Sequence, residues 1–157
     1  MKNFKIALAA TALLSVAAPF AAQAQSTYDD TQQLIAQIQA DKRAVVLKAM
    51  ALDDAQMTAF TQVYDVYQAE RKKLMQRGVD LINAYSSNYD SMTDDAAKGL
   101  LKDWFALQDD ELALVKGTAK KLDKVLPTAR VLRFVQVENK LNTLLRLPGI
   151  QAIPLAK

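Results

Sequence analysis

The chain has 157 residues, of which 51% are hydrophobic and 24% are charged, and its formal net charge is +3. That length is enough for one domain. The chain contains neither cysteine nor histidine, which excludes disulfides, the usual zinc, copper, nickel and haem sites, and every cysteine or histidine catalyst.

The first 24 residues have the pattern of a secretory signal peptide. Lys2 and Lys5 give a positive start, residues 6–16 are apolar, and Ala22 and Ala24 fill the −3 and −1 positions of a cleavage site. A transmembrane helix needs about 20 apolar residues, more than this run provides. We therefore expect cleavage after Ala24, export to the periplasm of a Gram-negative cell, and no integral membrane segment after cleavage.

Removal of this segment changes the charge argument. Two lysines and no acidic residue leave with it, so the net charge falls from +3 to +1. The basic excess that would favour a nucleic-acid partner is then missing, and we expect none. The remaining charge is segregated. Residues 25–115 carry nine basic and fifteen acidic side chains, whereas residues 116–157 carry nine basic and two acidic ones.

The first two predicted helices, 34–50 and 52–89, meet at a short corner at residues 51 and 52. The apolar face of the first consists of Ile35, Ile38, Val45, Val46 and Ala49. Asp53 is a good N-cap for the second, because its carboxylate can accept from the free amides of the first turn. At 1.5 Å per residue the second helix would be about 55 Å long. A helix this long and amphipathic needs partners along its whole length.

One face of the second helix carries an uneven stripe. At 100° per residue it consists of Phe60, Tyr64, Tyr67, Arg71, Met75, Gly78, Ile82, Tyr85 and Tyr89. Two interpretations are open. In the first, the aromatic rings pack in a core, Arg71 extends its charge to solvent and Gly78 permits a close helix crossing. In the second, part of the stripe stays open as an amphiphilic binding surface.

A third helix is predicted from its N-cap Thr93 to about residue 125. Its apolar stripe consists of Ala97, Leu101, Trp104, Val115, Leu122 and Leu126, with Phe105 and Leu112 alongside. Gln108 and Glu111 interrupt this stripe, as Arg71 interrupts the stripe of the second helix. The opposite side carries a lysine row, most often a solvated face. The row consists of Lys98, Lys102, Lys116, Lys120 and Lys124.

A fourth helix begins at about Pro127, which suits a first turn because its missing amide costs little there. Its apolar residues form an arc wider than packing on one side requires, so we expect something else to cover it. The arc consists of Val131, Leu132, Phe134, Val135, Val137, Leu141, Leu144 and Leu145. Pro148, Gly149 and Pro154 predict the end of regular structure.

No strand-like alternation or Asn-Gly hairpin signal occurs. The predicted fold is therefore all-α, with four helices in a single domain, residues 25–147. The signal peptide, 1–24, precedes the domain and an extended tail, 148–157, follows it. The length of the second helix and the wide arc of the fourth favour a homodimer that forms through the long helices.

Carboxylates offer the remaining acid–base chemistry. Asp94 and Asp95, like the acids of 109–111, are neighbours in sequence, and neighbours on a helix point about 100° apart. They do not converge on one reacting atom, so we expect no enzyme activity, no cofactor and no metal site. The four glycines are isolated, which leaves no nucleotide-binding loop.

Short motifs at the predicted helix starts are similar to those of a known family. Residues 52–56, Leu-Asp-Asp-Ala-Gln, resemble a Leu-Thr-x-x-Gln motif with aspartate in place of threonine. Residues 92–96 and 125–136 are similar to later helix openings of the same group. With its signal peptide and four-helix layout, the chain resembles the Spy and CpxP-like periplasmic stress proteins over residues 34–145.

This resemblance implies a cradle-like homodimer built from a long, bent helical hairpin. It also implies a protein that binds non-native envelope proteins without ATP, or that damps an envelope-stress sensor. The family's motif residues cap and brace helix junctions, so Leu52, Asp53 and Gln56 are expected to be structural. The metal-responsive branch of the family uses histidine-rich segments, which this chain lacks.

We expect unfolded or misfolded envelope proteins to bind along the open part of the second helix. Such a surface needs adaptable apolar groups beside mobile cations. The candidate client-binding residues are Phe60, Tyr64, Tyr67, Arg71, Lys72, Lys73 and Met75.

Two other functions remain open. The segregated charge also suits an adaptor whose basic C-terminal third docks on an acidic sensor domain or another folded partner. The lysine row could instead face a membrane surface, although its helix has few apolar residues beside those lysines to insert.

Overall fold

The chain folds into helices joined by short connections. A computed structural model describes residues 40–156, and within 147–152 it describes the backbone alone. Helix α1 covers 40–50 of this range, and the longer helices are α2 (Asp54–Asn88), α3 (Asp94–Leu122) and α4 (Thr128–Ala152). The described residues contain no strand, so the all-α prediction is confirmed. The predicted signal peptide and residues 34–39 lie outside the described residues.

Both predicted N-caps are confirmed. The Asp53 carboxylate accepts from the backbone N–H of Gln56 at 2.8 Å, and the Thr93 hydroxyl accepts from the backbone N–H of Ala96 at 3.2 Å. Each cap satisfies one of the amides that the first turn of a helix leaves without an intrahelical partner.

The corner between α1 and α2 depends on a left-handed residue. Ala51 has a φ of 50°, a conformation that brings the side chain of an L-residue close to the following carbonyl and costs roughly 1–2 kcal/mol. The turn lets the chain reverse within three residues, so that Met50 and Phe60, on successive helices, both enter the core.

One predicted helix end agrees with the structure and one differs. The second helix, predicted over 52–89, is observed as α2 to Asn88 and continues as a 3₁₀ turn, Tyr89–Ser91. The prediction that regular structure ends at Pro148 is wrong, because α4 continues to Ala152. Proline removes a single amide from the helical ladder, and the backbone continues past that gap.

The helices run alternately up and down. The turn Tyr89–Ser91 reverses the chain between α2 and α3, which form an antiparallel hairpin with Arg77 of α2 paired with Asp110 of α3 at 2.6 Å. Helix α1 runs back along α2, since Arg43 pairs with Asp65 at 2.7 Å. We call the end with Ala51 the proximal end and the end with Tyr89–Ser91 the distal end.

The core fills the proximal half of this bundle. Phe134 of α4 lies edge-on to three rings of α2, with centroid distances of 6.1 Å to Phe60, 6.3 Å to Tyr64 and 5.4 Å to Tyr67. Edge-to-face contacts of this kind add stabilisation beyond the area they bury. The buried cluster consists of Val46, Met50, Phe60, Tyr64, Tyr67, Leu122, Leu126, Val131, Phe134 and Leu141.

The wide apolar arc of α4 is largely covered within one chain. Val131, Phe134 and Leu141 are buried, and the remaining arc residues other than Leu132 are partly buried against the same cluster. Leu132 is 58% exposed. Helices α1, α2 and α3 therefore supply the cover that the width of the arc requires. Across the residues that the structure describes, none of the helices is both long and apolar enough to span a bilayer.

Candidate functional site

Four of the seven predicted client-binding residues lie inside the protein. Phe60 and Tyr64 are fully buried, and Tyr67 and Arg71 are 1% and 6% exposed. The prediction that these four form an open binding face is wrong, because α1 and α4 pack on the three rings and Arg71 is paired with Glu111 of α3. Lys72, Lys73 and Met75 are exposed on α2, so the structure splits the predicted set between core and surface.

The buried tyrosines bind a buried carboxylate. Glu138 of α4 is 1% exposed, and its two oxygens accept from the hydroxyls of Tyr64 at 3.1 Å and Tyr67 at 2.9 Å. Lys42 of α1 donates to the same carboxylate at 2.8 Å and to the side-chain oxygen of Asn142 at 3.1 Å. We call these five residues the Glu138 cluster. It joins α1, α2 and α4.

Burial and the neighbouring negative charge both act on the two phenols. Desolvation raises the pKa of the Tyr64 and Tyr67 hydroxyls well above its usual range, and the charge of Glu138 raises it further. Both side chains therefore stay protonated and remain donors to Glu138. With its carboxylate fully engaged and enclosed, the Glu138 cluster is a structural tie between helices.

A second polar tie lies farther along the bundle. Arg71 of α2 donates to Glu111 of α3 at 2.7 Å, and Arg146 of α4 donates to the same carboxylate, at 2.5 Å from its Oε1. The Arg71 and Glu111 side chains are 8% and 14% exposed, whereas that of Arg146 is 44% exposed. The Nε of Arg71 is buried without a partner among the described residues. Three helices thus meet at Glu111.

The ionisation of Glu111 is held by its two arginines. Burial alone would raise the pKa of this carboxyl, but hydrogen bonds from Arg146 and Arg71 and their positive charges outweigh it, so the pKa lies below its usual range. A charged carboxylate held by two guanidinium groups is a strong tie between the helices that carry them.

The distal half of the hairpin carries a large exposed apolar surface. Its members are spaced to share one face on each helix, at i, i+4 and i+7 on α2 and at i, i+3, i+4 and i+11 on α3. They are Met75, Val79, Ile82, Leu101, Trp104, Phe105 and Leu112, each between 44% and 57% exposed. We call this set the distal patch.

The two rows of the distal patch lie on one side of the hairpin. Gly78 of α2 faces Leu107 of α3, since a Cβ built on Gly78 would lie 3.7 Å from the Leu107 Cδ2. Counted from that contact at 100° per residue, the α2 row and the α3 row of the patch both lie on the side of the hairpin that carries Glu111. The Arg77–Asp110 pair lies on the opposite side. Of the apolar stripe predicted on α3, Leu122 is therefore buried in the core, whereas Leu101 and Trp104 in its N-terminal half are exposed.

The patch is large for the surface of a single chain. Seven side chains are each about half exposed. Two are aromatic, with roughly 150–250 Å² each, and five are smaller, so the exposed area is about 500–600 Å². The largest apolar patch of a typical monomer is about 300–600 Å² and is often functional. The distal patch thus lies at the upper end of that range and approaches one partner's share of a standard protein–protein interface, about 800 Å².

Lysines border this surface. Lys72 on α2 and three members of the lysine row on α3, Lys98, Lys102 and Lys116, are exposed beside it, together with Asp109. The prediction that the lysine row is solvent-exposed is confirmed along its whole length. The combination of apolar side chains and lysines that was predicted for the Phe60–Met75 stripe of α2 is therefore found on the distal patch instead.

A shallow groove lies on the other side of the hairpin. It has a volume of about 360 Å³, with Leu74 and Leu114 as apolar lining. Its charged walls are already paired, Glu70 with Lys73 at 2.7 Å and Arg77 with Asp110 at 2.6 Å. Among residues 40–156, no three acidic side chains come together as a metal site would require.

The motif residues at the start of α2 brace the corner. Leu52 is partly buried against the core cluster, Asp53 caps the helix, and Gln56 supplies the backbone N–H that the cap accepts. Comparisons with protein-family models, with curated proteins and with solved structures found no match for this chain.

Sequence reasoning missed the Glu138 cluster and underestimated α3 as a binding surface. A signal for the first was present, because Glu138 is one of only two acidic residues after Lys116 and lies among apolar neighbours on α4. The second could not be found from periodicity, since a row of apolar residues at helical spacing has the same pattern whether it is buried or exposed.

Proposed function

We propose that this protein holds non-native envelope proteins without ATP, and that it does so at the distal patch. The observation that carries the proposal is a surface of about 500–600 Å² whose members are aliphatic, aromatic and thioether side chains. Unfolded chains expose apolar side chains of varied shape. A surface that includes flexible Met75 beside Trp104 and Phe105 can adapt to many of them.

The cationic rim supports capture of chains with mixed or negative charge. Lys72, Lys98, Lys102 and Lys116 are solvent-exposed, so their attraction to a client is screened by salt within a Debye length of about 8–10 Å at physiological ionic strength. Apolar contact determines how long a client stays, and the lysines raise the rate of encounter. We expect capture to slow as the salt concentration rises.

The test is suppression of aggregation of a chemically unfolded protein by the purified chain without nucleotide. The double variant Phe105→Ser with Leu112→Ser should lose most of the suppression. Both side chains are about half exposed, so the fold should tolerate the change. The matched control is Val66→Ser with Leu132→Ser, which removes two equally exposed apolar side chains outside the patch. Equal suppression by the two double variants would refute the distal patch as the client site.

We further propose that the chain is exported and acts as a homodimer. The N-terminal pattern of residues 1–24 supports export, and cell fractionation with detection of the chain starting at Gln25 tests it. The size of the distal patch supports a dimer, although the arc of α4 no longer does. Sedimentation of the purified protein at micromolar concentration decides the second point, since a monomer there contradicts the dimer.

An adaptor is the second candidate, favoured by the charge of the C-terminal third. The described part of residues 116–157 carries eight exposed or partly exposed basic side chains against two acidic ones, of which Glu138 is buried. A pull-down from envelope extract separates the two functions. One stoichiometric folded partner favours the adaptor, and many substoichiometric unfolded ones favour the chaperone.

A further inference from the structure

Two contacts hold the end of α4 and the residues after it. Arg146 donates to Glu111 at 2.5 Å, and the Tyr85 hydroxyl donates to the backbone oxygen of Pro154 at 2.9 Å. Glu111 is adjacent in sequence to Leu112, and Tyr85 follows Ile82 by three residues. The two anchors are therefore level with the two ends of the distal patch along the hairpin, and the backbone between Arg146 and Pro154 connects them.

This backbone contains two residues that weaken a helix. Pro148 has no N–H, so the carbonyl of Leu144 loses its usual i+4 donor. Gly149 follows immediately and has the lowest helix propensity after proline. Both lie within α4. A helix that contains Pro-Gly between two anchors has a defined point at which it can bend.

The segment after the Pro-Gly pair is apolar and uncharged, as are the stretches that an unfolded client exposes. Residues 150–156 contain two isoleucines and a leucine, a second proline and no charge. Its end is loosely held, since Leu155 is 89% exposed and the Tyr85–Pro154 contact is a single hydrogen bond between neutral groups on an exposed surface. Such a bond exchanges readily with water.

We infer that residues 148–156 form a hinged strap that lies beside the distal patch and competes with clients for it. The hinge is Pro148–Gly149, and the catch is the Tyr85–Pro154 hydrogen bond. In the structure the strap is closed, and the patch side chains are still about half exposed. When the strap opens, more of the patch becomes available. The competition with clients rests on the proposed function, whereas the hinge and its closed position do not.

The strap explains why Arg146 is part of the Glu111 tie. The anchor fixes α4 two residues before Pro148, so that bending at the hinge moves only the residues beyond it. The Glu138 cluster and the proximal core would then be unaffected by opening. The strap therefore regulates the exposure of an apolar surface without unfolding the bundle.

Trp104, the only tryptophan of the chain, lies in the distal patch and reports on the strap directly. Deletion of residues 148–157 should raise the acrylamide quenching constant of its fluorescence, by at most about two-fold because the side chain is already 48% exposed. Tyr85→Phe, which removes the catch, should raise it by a smaller amount. Ser87→Ala is the matched control, since it removes a hydroxyl whose bond stays within α2, to Asn83.

Unchanged quenching in both the deletion and Tyr85→Phe overturns the strap. A covalent test covers the case in which the deletion fails to fold. The chain has no cysteine, so the pair Leu155→Cys with Ile82→Cys, the patch residue nearest the Tyr85 catch in sequence, introduces the only two thiols. Oxidation should close the strap and lower Trp104 quenching, whereas Leu155→Cys with Lys48→Cys, at the proximal end, should not cross-link within one chain. Failure of the first pair to cross-link also contradicts the inference.

The same cross-linked protein separates the inference from the proposed function. If oxidation lowers both Trp104 quenching and aggregation suppression, and reduction restores both, the strap competes with clients. If quenching responds but the reduced protein never suppresses aggregation, the strap stands and the chaperone proposal fails. If suppression is equal in both redox states, the strap does not compete with clients.

Discussion

Arg71 and Glu111 interrupt the apolar faces of two different helices, and they interrupt them at the point where the helices meet. Their side chains are 2.7 Å apart and mostly buried. Taken singly, each would be an uncompensated charge inside the bundle, a situation that costs several kcal/mol. Together they form an ion pair between α2 and α3. Arg146 donates to the same carboxylate, so the contact also includes α4.

This pairing predicts a strongly non-additive mutant cycle. Glu111→Leu leaves the Arg71 guanidinium buried without a carboxylate and should lower the free energy of unfolding by about 3–5 kcal/mol. Adding Arg71→Leu should recover most of that loss, because two well-packed apolar side chains can replace a buried ion pair. Urea denaturation of the four proteins measures the coupling. Additive effects would mean that the two side chains do not meet in solution.

The exposed pair Arg77 and Asp110 provides the control for that cycle. Its side chains are 47% and 53% exposed, and ion pairs at such sites contribute about 0–1 kcal/mol. Arg77→Leu should therefore shift the urea midpoint only slightly, although the pair crosses the same two helices at a similar distance.

Glu111 also predicts how stability depends on acid. Its pKa is lower in the folded protein than in the unfolded chain, where it is about 4.3. Its contribution is therefore fully present above that value and is lost as the pH falls through the lower folded pKa. Between about pH 5 and pH 3 the melting temperature of the protein should fall more steeply than that of Glu111→Gln. Parallel curves for the two proteins would contradict the assignment.

The buried tyrosines predict the opposite dependence at alkaline pH. The pKa of Tyr64 and Tyr67 is raised in the folded protein, so their contribution is fully present below the unfolded value of about 10 and is lost as the pH rises above it. We expect their tyrosinate absorbance to appear only together with loss of the helical circular dichroism signal. Tyr64→Phe removes one of the two phenols, so its free energy of unfolding should fall less between neutral and alkaline pH than that of the unchanged protein.

Gly78 predicts a stabilising substitution. A Cβ at this position would lie 3.7 Å from Leu107, an ordinary van der Waals contact, so alanine fits without displacing α3. Gly78→Ala should raise the free energy of unfolding by about 0.5–1 kcal/mol, because alanine loses less backbone entropy in a helix. Gly99→Ala, with open space around the added methyl, is the matched control and should act in the same direction. A loss of stability at Gly78 alone would indicate a closer crossing in solution.

The helices and their starts could be predicted because the signals are local. Asp53 and Thr93 act within one turn, and the spacing of apolar residues within α2 is a property of α2 alone. The C-terminal limit of α4 could not be predicted in the same way. Pro148 and Gly149 are strong local stop signals, and the observed helix passes both.

The site could not be placed from the sequence because it depends on which faces meet. The stripe with Phe60, Tyr64 and Tyr67 and the stripe with Leu101, Trp104 and Phe105 have the same helical spacing. Only the first is covered, since α1 and α4 pack on the proximal half of the hairpin. The partnership of Arg71 with Glu111, 40 residues apart, is likewise a tertiary fact, although both positions were visible as interruptions in their stripes.

The contact between Lys42 and Glu138 joins residues that are 96 positions apart, and this separation sets an order of events during synthesis. A chain made at about 5–20 residues per second exposes α1 for roughly 5–20 s before α4 exists. The α2–α3 hairpin, whose contacts are local, can form in that time. Val46 and Met50 have no completed core to enter until Phe134 and Leu141 have been added. For those seconds the nascent protein is itself a partly folded chain with an uncovered apolar helix, in need of the kind of protection that the finished molecule is proposed to provide.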